Sequence, residues 1–441
     1  SAKGEARKVM ALSFSPDNST IVQCGVDHVQ FWRRQGRNLL MRRGILGKKG
    51  RIQPLLCIGW AGPFAVVGTA DGHLYRFEGH MLRGSLKAHD KSVTALYSCP
   101  DGLVSGGRDR RIRIWSPGLE CRHDFDMAKL QDDKSLKGGI RALCWEPAAN
   151  TLVIGTRGGE LYEISSINGA DLHGGPIVAS HCVNEVWGLS IHPKKPHFAT
   201  AGDDKTIRVW NYDTHEMIDL LKLDTPSRAI AYAPDGNSIA IGLGGRVGRG
   251  RNKKDGVFMI LDGNDLKTIH EGRDTREWIT DAKYTPDGNT LALASRDNNV
   301  YFYDATNGYA PRAVFGKHSS FVTNIDFTED SQWLQSCSGA YDLLFCDANT
   351  GAHLPSGARI KDLQWDTWTM PMGWSVQGVW KPYEKGVEIN TTSRSNRRDL
   401  LAVGDEYGRL RVYRYPCLTE DTTPLEYSAH SPHLLKVRWT K

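Results

Sequence analysis

The chain repeats itself. Residues 91–115 (KSVTALYSCPDGLVSGGRDRRIRIW), 184–210 (NEVWGLSIHPKKPHFATAGDDKTIRVW) and 278–304 (WITDAKYTPDGNTLALASRDNNVYFYD) align as copies of one pattern. Each copy runs through an alternating stretch, a proline-centred turn and a second stretch ending in small residues. A tight turn containing Asp and a third stretch ending in an aromatic follow. In IRVW, Ile207 and Val209 face one way and Arg208 and Trp210 the other, which is strand periodicity. The turns CPDG (99–102), APDG (233–236) and TPDG (285–288) put Pro where a fixed φ opens a turn and Gly where φ can become positive. Helical spacing is nearly absent, so the repeat admits only an all-β fold.

Fainter copies end at Trp32, Phe77, Ile164, Leu261, Cys346 and Tyr413, which puts the third-stretch ends 38 to 51 residues apart, with one gap of 67. A four-stranded unit of about 40 to 45 residues is the blade of a WD-repeat β-propeller. Nine such units, with an incipient tenth over 427–439, exceed the roughly 4 to 8 blades one ring holds. Two copies match the WD-repeat hydrogen-bonding tetrad residue by residue, namely His89, Ser105, Asp109 and Trp115, and His181, Thr200, Asp204 and Trp210. The imidazole is expected to link the turn carboxylate to a hydroxyl that also meets the indole N–H, locking the blade. Other units keep only parts, such as Asp71, Asp297, His318 and His430.

The order of diverged repeats resembles the echinoderm microtubule-associated-protein-like family over nearly the whole chain. The segments that carry this include IVQCGVDHVQFW (21–32), RRGILGKKG (42–50), LKAHDKSVTAL (86–96), EVWGLSIHP (185–193) and GKHSSFVTNIDF (316–327). Most telling is DLQWDTWTMPMGWSVQGVW (362–380), an insertion a generic WD repeat lacks and the source of the 67-residue gap. The resemblance implies two tandem propellers. Residues 1–130 would be the last three blades of a first, partial propeller, and 131–441 a second whose last blade is incomplete. It further implies a piece of a longer protein and a non-enzymatic scaffold that binds and stabilises tubulin polymers. The setting it implies is the cytoplasm and cytoskeleton, extending to the cilium or flagellar axoneme, with other microtubule-associated proteins as further partners.

Charge sharpens this expectation. Residues 1–60 carry a net +8 within a total of +6, and GGRVGRGRNKK (244–254) adds five cations without an acid. Two basic patches on a mildly acidic body suit an acidic partner. Arg246, Arg249, Arg251, Lys253 and Lys254 in the glycine-rich loop are candidate contacts to an acidic tubulin surface. So are Arg33, Arg34, Arg37, Arg42 and Arg43 in RRQGRNLLMRRG (33–44), read as a linker between blades. The tryptophans Trp365, Trp368, Trp374 and Trp380 are expected to pack in the core and between blades.

Other chemistries find little footing. The Ser, His and Asp residues recur at blade positions, whereas a catalytic triad occurs once, and no G-x-S-x-G is present. The glycine-rich run fits neither a dinucleotide fingerprint nor a P-loop, so no catalytic residue, cofactor, metal or small-molecule substrate is expected. Nine scattered cysteines without C-x-x-C spacing argue for buried thiols in a reducing, intracellular setting. No apolar stretch reaches the roughly 18 residues a membrane span needs, and no helix-turn-helix, RRM or finger pattern points to nucleic acid. The alternative function is a WD-repeat adaptor in another complex, such as a ubiquitin-ligase substrate receptor. The W-D-x-R signature of those receptors is absent, since Trp365-Asp366 is followed by Thr367.

Overall fold

The computed structural model describes residues 7–36, 38–130, 138–245, 254–275, 277–381, 386–428, 430 and 433–440. Among these, the 2.0-residue periodicity resolves into nine four-stranded antiparallel sheets, each with its strands in chain order. They span residues 9–43, 55–87, 93–126, 140–179, 186–222, 227–273, 279–315, 322–354 and 389–428. These are WD-repeat propeller blades. The chain divides into two compact units, residues 1–182 with four sheets and 183–441 with five. The domain change expected at 130/131 falls on residues 131–137, outside the described ones. The fourth sheet lies in the first unit; its place in a second propeller rests on the resemblance and stays a proposal.

Within each unit the first strands of consecutive sheets pack on one another. In the first unit these are Val9–Phe14, Leu55–Ala61, Val93–Cys99 and Ile140–Glu146; in the second, Val186–Ile191, Ser227–Tyr232, Ile279–Tyr284 and Val322–Phe327. Second strands, flanked on both sides and covered on both faces, are the driest, and Gly102–Gly107 and Thr290–Ser295 are buried throughout. Their composition follows from this position: small and β-branched residues let neighbouring sheets approach closely. Gly106, for example, leaves room for Ile140 of the next sheet, and a Cβ there would sit 2.4 Å from it.

A register shift recurs where the first and second strands of every sheet pair, near the first residues of the first strand. Such a bulge re-aims one side chain. Here it turns the residue toward the neighbouring sheet: Thr94 Oγ1 donates to the Ile140 carbonyl at 2.5 Å, and Thr280 Oγ1 to that of Val322 at 2.6 Å.

The insertion at 362–380 packs between the eighth and ninth sheets. Trp365 forms an antiparallel bridge with Thr328. The Trp368 and Met370 carbonyls accept from Arg394 N at 3.2 Å and Thr392 Oγ1 at 2.7 Å. Trp365 and Trp368 are buried and Trp380 half-buried, as core packing requires, but Trp374 is 60% exposed.

Two expectations need correction. Residues 33–44 are not a linker: they form the end of the third strand, His28–Gln35, and the fourth, Asn38–Arg43, of the first sheet. Both faces of that outer strand are wet, so it lacks the apolar alternation that marks a strand. Tyr427 likewise does not open a tenth unit but lies in Leu425–Ser428, the fourth strand of the ninth sheet. Residues 433–440 lie along that sheet, with Leu434 N on the Asp405 carbonyl at 2.9 Å and Trp439 Nε1 on that of Ser393 at 2.8 Å.

Candidate partner-binding surfaces

In the third sheet, His89 Nδ1 lies 3.0 Å from Asp109 Oδ1 and Nε2 2.8 Å from Ser105 Oγ, while Trp115 Nε1 donates to the same hydroxyl at 2.8 Å. One proton order satisfies every group: indole to hydroxyl, hydroxyl to imidazole, imidazole to carboxylate. Burial alone would raise the Asp109 carboxyl, but its bond to His89 and the N–H groups of Asp90 and Arg111 hold it down to about 2. The Ser105 hydroxyl is closed off from solvent and shared by two neighbours, the condition of a staple and the opposite of an activated nucleophile.

Three members of the second predicted group, Thr200, Asp204 and Trp210, fall within the fifth sheet. Trp210 Nε1 donates to Thr200 Oγ1 at 2.8 Å, and Asp204 engages Thr206 Oγ1 at 2.8 Å and the buried Arg208 at 3.5 Å. His181 is half-buried and belongs to the first unit, the other three to the second. The structure also completes two staples of which the sequence shows only one member each, His318 and Asp297. His318 spans Asp342 at 3.0 Å and Ser336 at 2.7 Å. In the seventh sheet Thr275 stands in for the histidine, joining Ser295 at 2.8 Å and Asp297 at 2.6 Å.

With these groups committed to the interior, partner recognition falls to the surfaces. In the second unit the bulge residues Trp187 and Arg228, with Trp278, Arg296 and Phe321, build a ladder of alternating rings and cations. The Arg228 guanidinium lies between Trp187 (4.1 Å) and Trp278 (4.6 Å), and Arg296 between Trp278 (4.7 Å) and Phe321 (4.8 Å). Asp203 pairs with Arg228 at 3.1 Å and accepts from Trp187 Nε1 at 3.1 Å. Burial lowers the Arg228 pKa against the pull of Asp203. Arg296 is exposed, and among the described residues no carboxylate comes within ion-pair distance of it. No single repeat copy reveals the ladder, because its members come from four sheets.

The two glycines that precede the basic run pack against this ladder. Gly244 and Gly245 take φ values of 135° and 134°, and an added Cβ would meet Trp278 at 2.9 Å and Arg228 Nε at 2.6 Å. Only glycine fits both constraints. Arg246, Arg249, Arg251 and Lys253 lie outside the described residues, as does Arg37; Lys254 reaches Glu271 at 3.8 Å.

The remaining candidates sit on the hairpin of the first sheet, where register sorts them. Phe31 pairs with Arg42 and Arg33 with Leu40, while Gln30 pairs with Arg43 and Arg34 with Leu39. Cross-strand partners share a face, so Arg33 and Arg42 point one way and Arg34 and Arg43 the other.

A buried polar node lies deeper in the second unit. Asp326, fully buried, accepts from Lys283, Thr367 Oγ1 and Thr369 N, the last at 2.8 Å. Lys283 Nζ also donates to Thr367 and Thr369 at 2.7 and 2.9 Å. Lys436 lies 3.8 Å from Asp281, its pKa lowered by burial.

The profile described as "Echinoderm microtubule-associated protein second beta-propeller" matches residues 186–441. The chain belongs to the echinoderm microtubule-associated protein family. A "WD domain, G-beta repeat" profile matches 81–116, the stretch that holds the His89 staple. Similar curated proteins of this family include "Echinoderm microtubule-associated protein-like 2" of Rattus norvegicus, 32% identical over 97% of this chain and 64% of that protein. The "77 kDa echinoderm microtubule-associated protein" of Strongylocentrotus purpuratus is 31% identical over 99% of this chain and 62% of its own length. The chain thus spans a little under two thirds of these family members. Among solved structures, the computationally designed Ika8 protein superposes with a TM-score of 0.32 at 18% identity, covering 78% of this chain and 97% of its own, too low a likeness to bear on the fold.

Proposed function

We propose that the protein is a non-enzymatic, microtubule-associated scaffold that binds and stabilises tubulin polymers. The observation that carries this reading is the match, over 97% of the chain, to proteins named for microtubule association. The fold supports it in kind: a β-propeller is a rigid platform, and what it binds is set by its surfaces. The cations of residues 33–43 and 246–254 suit the acidic surface of tubulin, and the Ser, His and Asp groups of the third, seventh and eighth sheets are held in blade staples. The relatives' names point to microtubules and not to a cilium or axoneme, so the reading is confined to the polymer itself.

Co-sedimentation tests it. The protein is expected in the pellet with assembled microtubules and in the supernatant without them, and a protein that stays soluble in both defeats the proposal. Replacing Arg246, Arg249, Arg251, Lys253 and Lys254 with Gln should weaken pelleting at low salt. It should have little effect on microtubules stripped of their acidic tails, because each exposed contact contributes only about 0 to 1 kcal/mol and is screened by salt.

A further inference from the structure

The first unit holds a cavity of about 580 Å³ between its first two sheets. Phe31 and Trp60, both nearly buried, line it together with Leu40 and Pro63, and Arg33 and Arg42 border it. The cavity therefore takes one face of the hairpin: the two arginines that register places together, with the apolar Phe31 and Leu40 paired opposite them. Arg34 and Arg43 are excluded from it.

The chemistry of the cavity is lopsided. Arg33 and Arg42 are diagonal neighbours on adjacent strands, so their side chains lie within roughly 7 to 8 Å and repel. Among the described residues neither has an ion-pair partner. The acid in the lining, Asp17, accepts from Ser15 Oγ at 2.5 Å and Ser19 N at 3.1 Å, bonds that hold it in its charged form, so against the two arginines it leaves the lining with a net positive charge of one. The Trp60 indole N–H is spent on Ser13 Oγ at 3.0 Å, so its ring offers only an apolar surface. Two unpaired guanidinium groups beside a ring-lined hollow match a carboxylate-rich segment that also carries a large apolar side chain.

We propose that this cleft is a docking site for an acidic peptide, with carboxylates on Arg33 and Arg42 and one apolar side chain set against Phe31, Leu40 and Trp60. The inference deepens the microtubule reading and rests on it for the identity of the peptide, an acidic segment of the polymer surface.

Fluorescence anisotropy with a labelled polyglutamate peptide bearing a single phenylalanine tests it. R33Q/R42Q should weaken binding by about tenfold or more. R34Q/R43Q, which removes the same charge from the opposite face, should cause a clearly smaller loss. Exchanging the phenylalanine for serine should weaken binding to the unaltered protein. Circular dichroism checks that each variant is folded. Equal losses from the two double variants would overturn the proposal, since net charge alone would then explain binding. Displacement of the peptide as readily by inorganic phosphate as by unlabelled peptide would overturn it too. Peptide binding that survives while the protein fails to pellet with microtubules would sink the microtubule reading and leave the cleft standing. Pelleting without peptide binding would do the reverse.

Discussion

His318 Nδ1 lies 3.0 Å from Asp342 Oδ1 in the eighth sheet. This repeats the His89–Asp109 pairing although the strand end carries Cys346 where the third sheet carries Trp115. Strand pairing shows the equivalence, since Leu334 faces Cys346 as Leu103 faces Trp115. The hydroxyl of Ser336 therefore keeps its bond to the imidazole but has no indole above it. Removing either carboxylate leaves a buried imidazole N–H without an acceptor. Asp342→Ala and Asp109→Ala should each destabilise by about 1 to 3 kcal/mol. Thermal denaturation should show the lower midpoint, whereas replacing the exposed Asp421 should change it little.

Acid should undo the third-sheet staple in a defined window. The folded Asp109 carboxyl sits near 2, below its value of about 3.9 in an unfolded chain. Its contribution is therefore complete above about pH 4 and is lost as pH falls toward 2. The midpoint of the wild-type protein should decline through that window more steeply than that of Asp109→Asn, which has no proton to gain there.

Thiol reactivity should follow burial. Cys24, Cys57, Cys337, Cys346 and Cys417 are buried, and burial pushes Cys24 and Cys337 up to about 12. With the fold intact at about pH 8, an aromatic disulfide reagent should label the exposed Cys121 and Cys144 first. The five buried thiols should react only on unfolding. Fast labelling of Cys24 in the native protein would contradict the packing described here.

The ring–cation ladder should respond unequally to its two arginines. Arg296→Ala forfeits exposed stacking, a loss of roughly 0.5 to 1 kcal/mol. Arg228→Ala also strands Asp203, whose side chain is only 5% exposed, and should cost about 3 kcal/mol or more. Asp203→Asn in the Arg228→Ala background should recover part of that loss, as a double-mutant cycle in denaturant would show.

Much of the fold was legible because a two-residue period and marked turns recur from copy to copy. Ile207 and Val209 alternate with Arg208 and Trp210, and the PDG turns mark where hairpins reverse. The third-sheet staple was legible too, since its four members keep fixed spacings within one repeat. The eighth-sheet staple escaped because Asp342 lies six residues after Ser336, against four from Ser105 to Asp109, and the seventh because Thr275 replaces the imidazole. The hairpin around Arg33 and Arg42 read as a linker because an outer strand wet on both faces has no reason to alternate. The ladder was invisible for a different reason. Trp187 and Arg228 are ordinary residues in their own strands and become partners only when a bulge turns each toward its neighbour.

The node around Asp326 alters how the second unit should come apart. In an array where each sheet touches only the next, stability is a chain of nearest-neighbour couplings, and the array can open at any link. Here Lys283 of the seventh sheet, Asp326 of the eighth and Thr367 and Thr369 of the insertion share one set of buried protons. Arg394 of the ninth sheet holds the same insertion through the carbonyls of Trp365 and Asp366. No link in that stretch can open alone. The amides of these three sheets should exchange with solvent as one cooperative block.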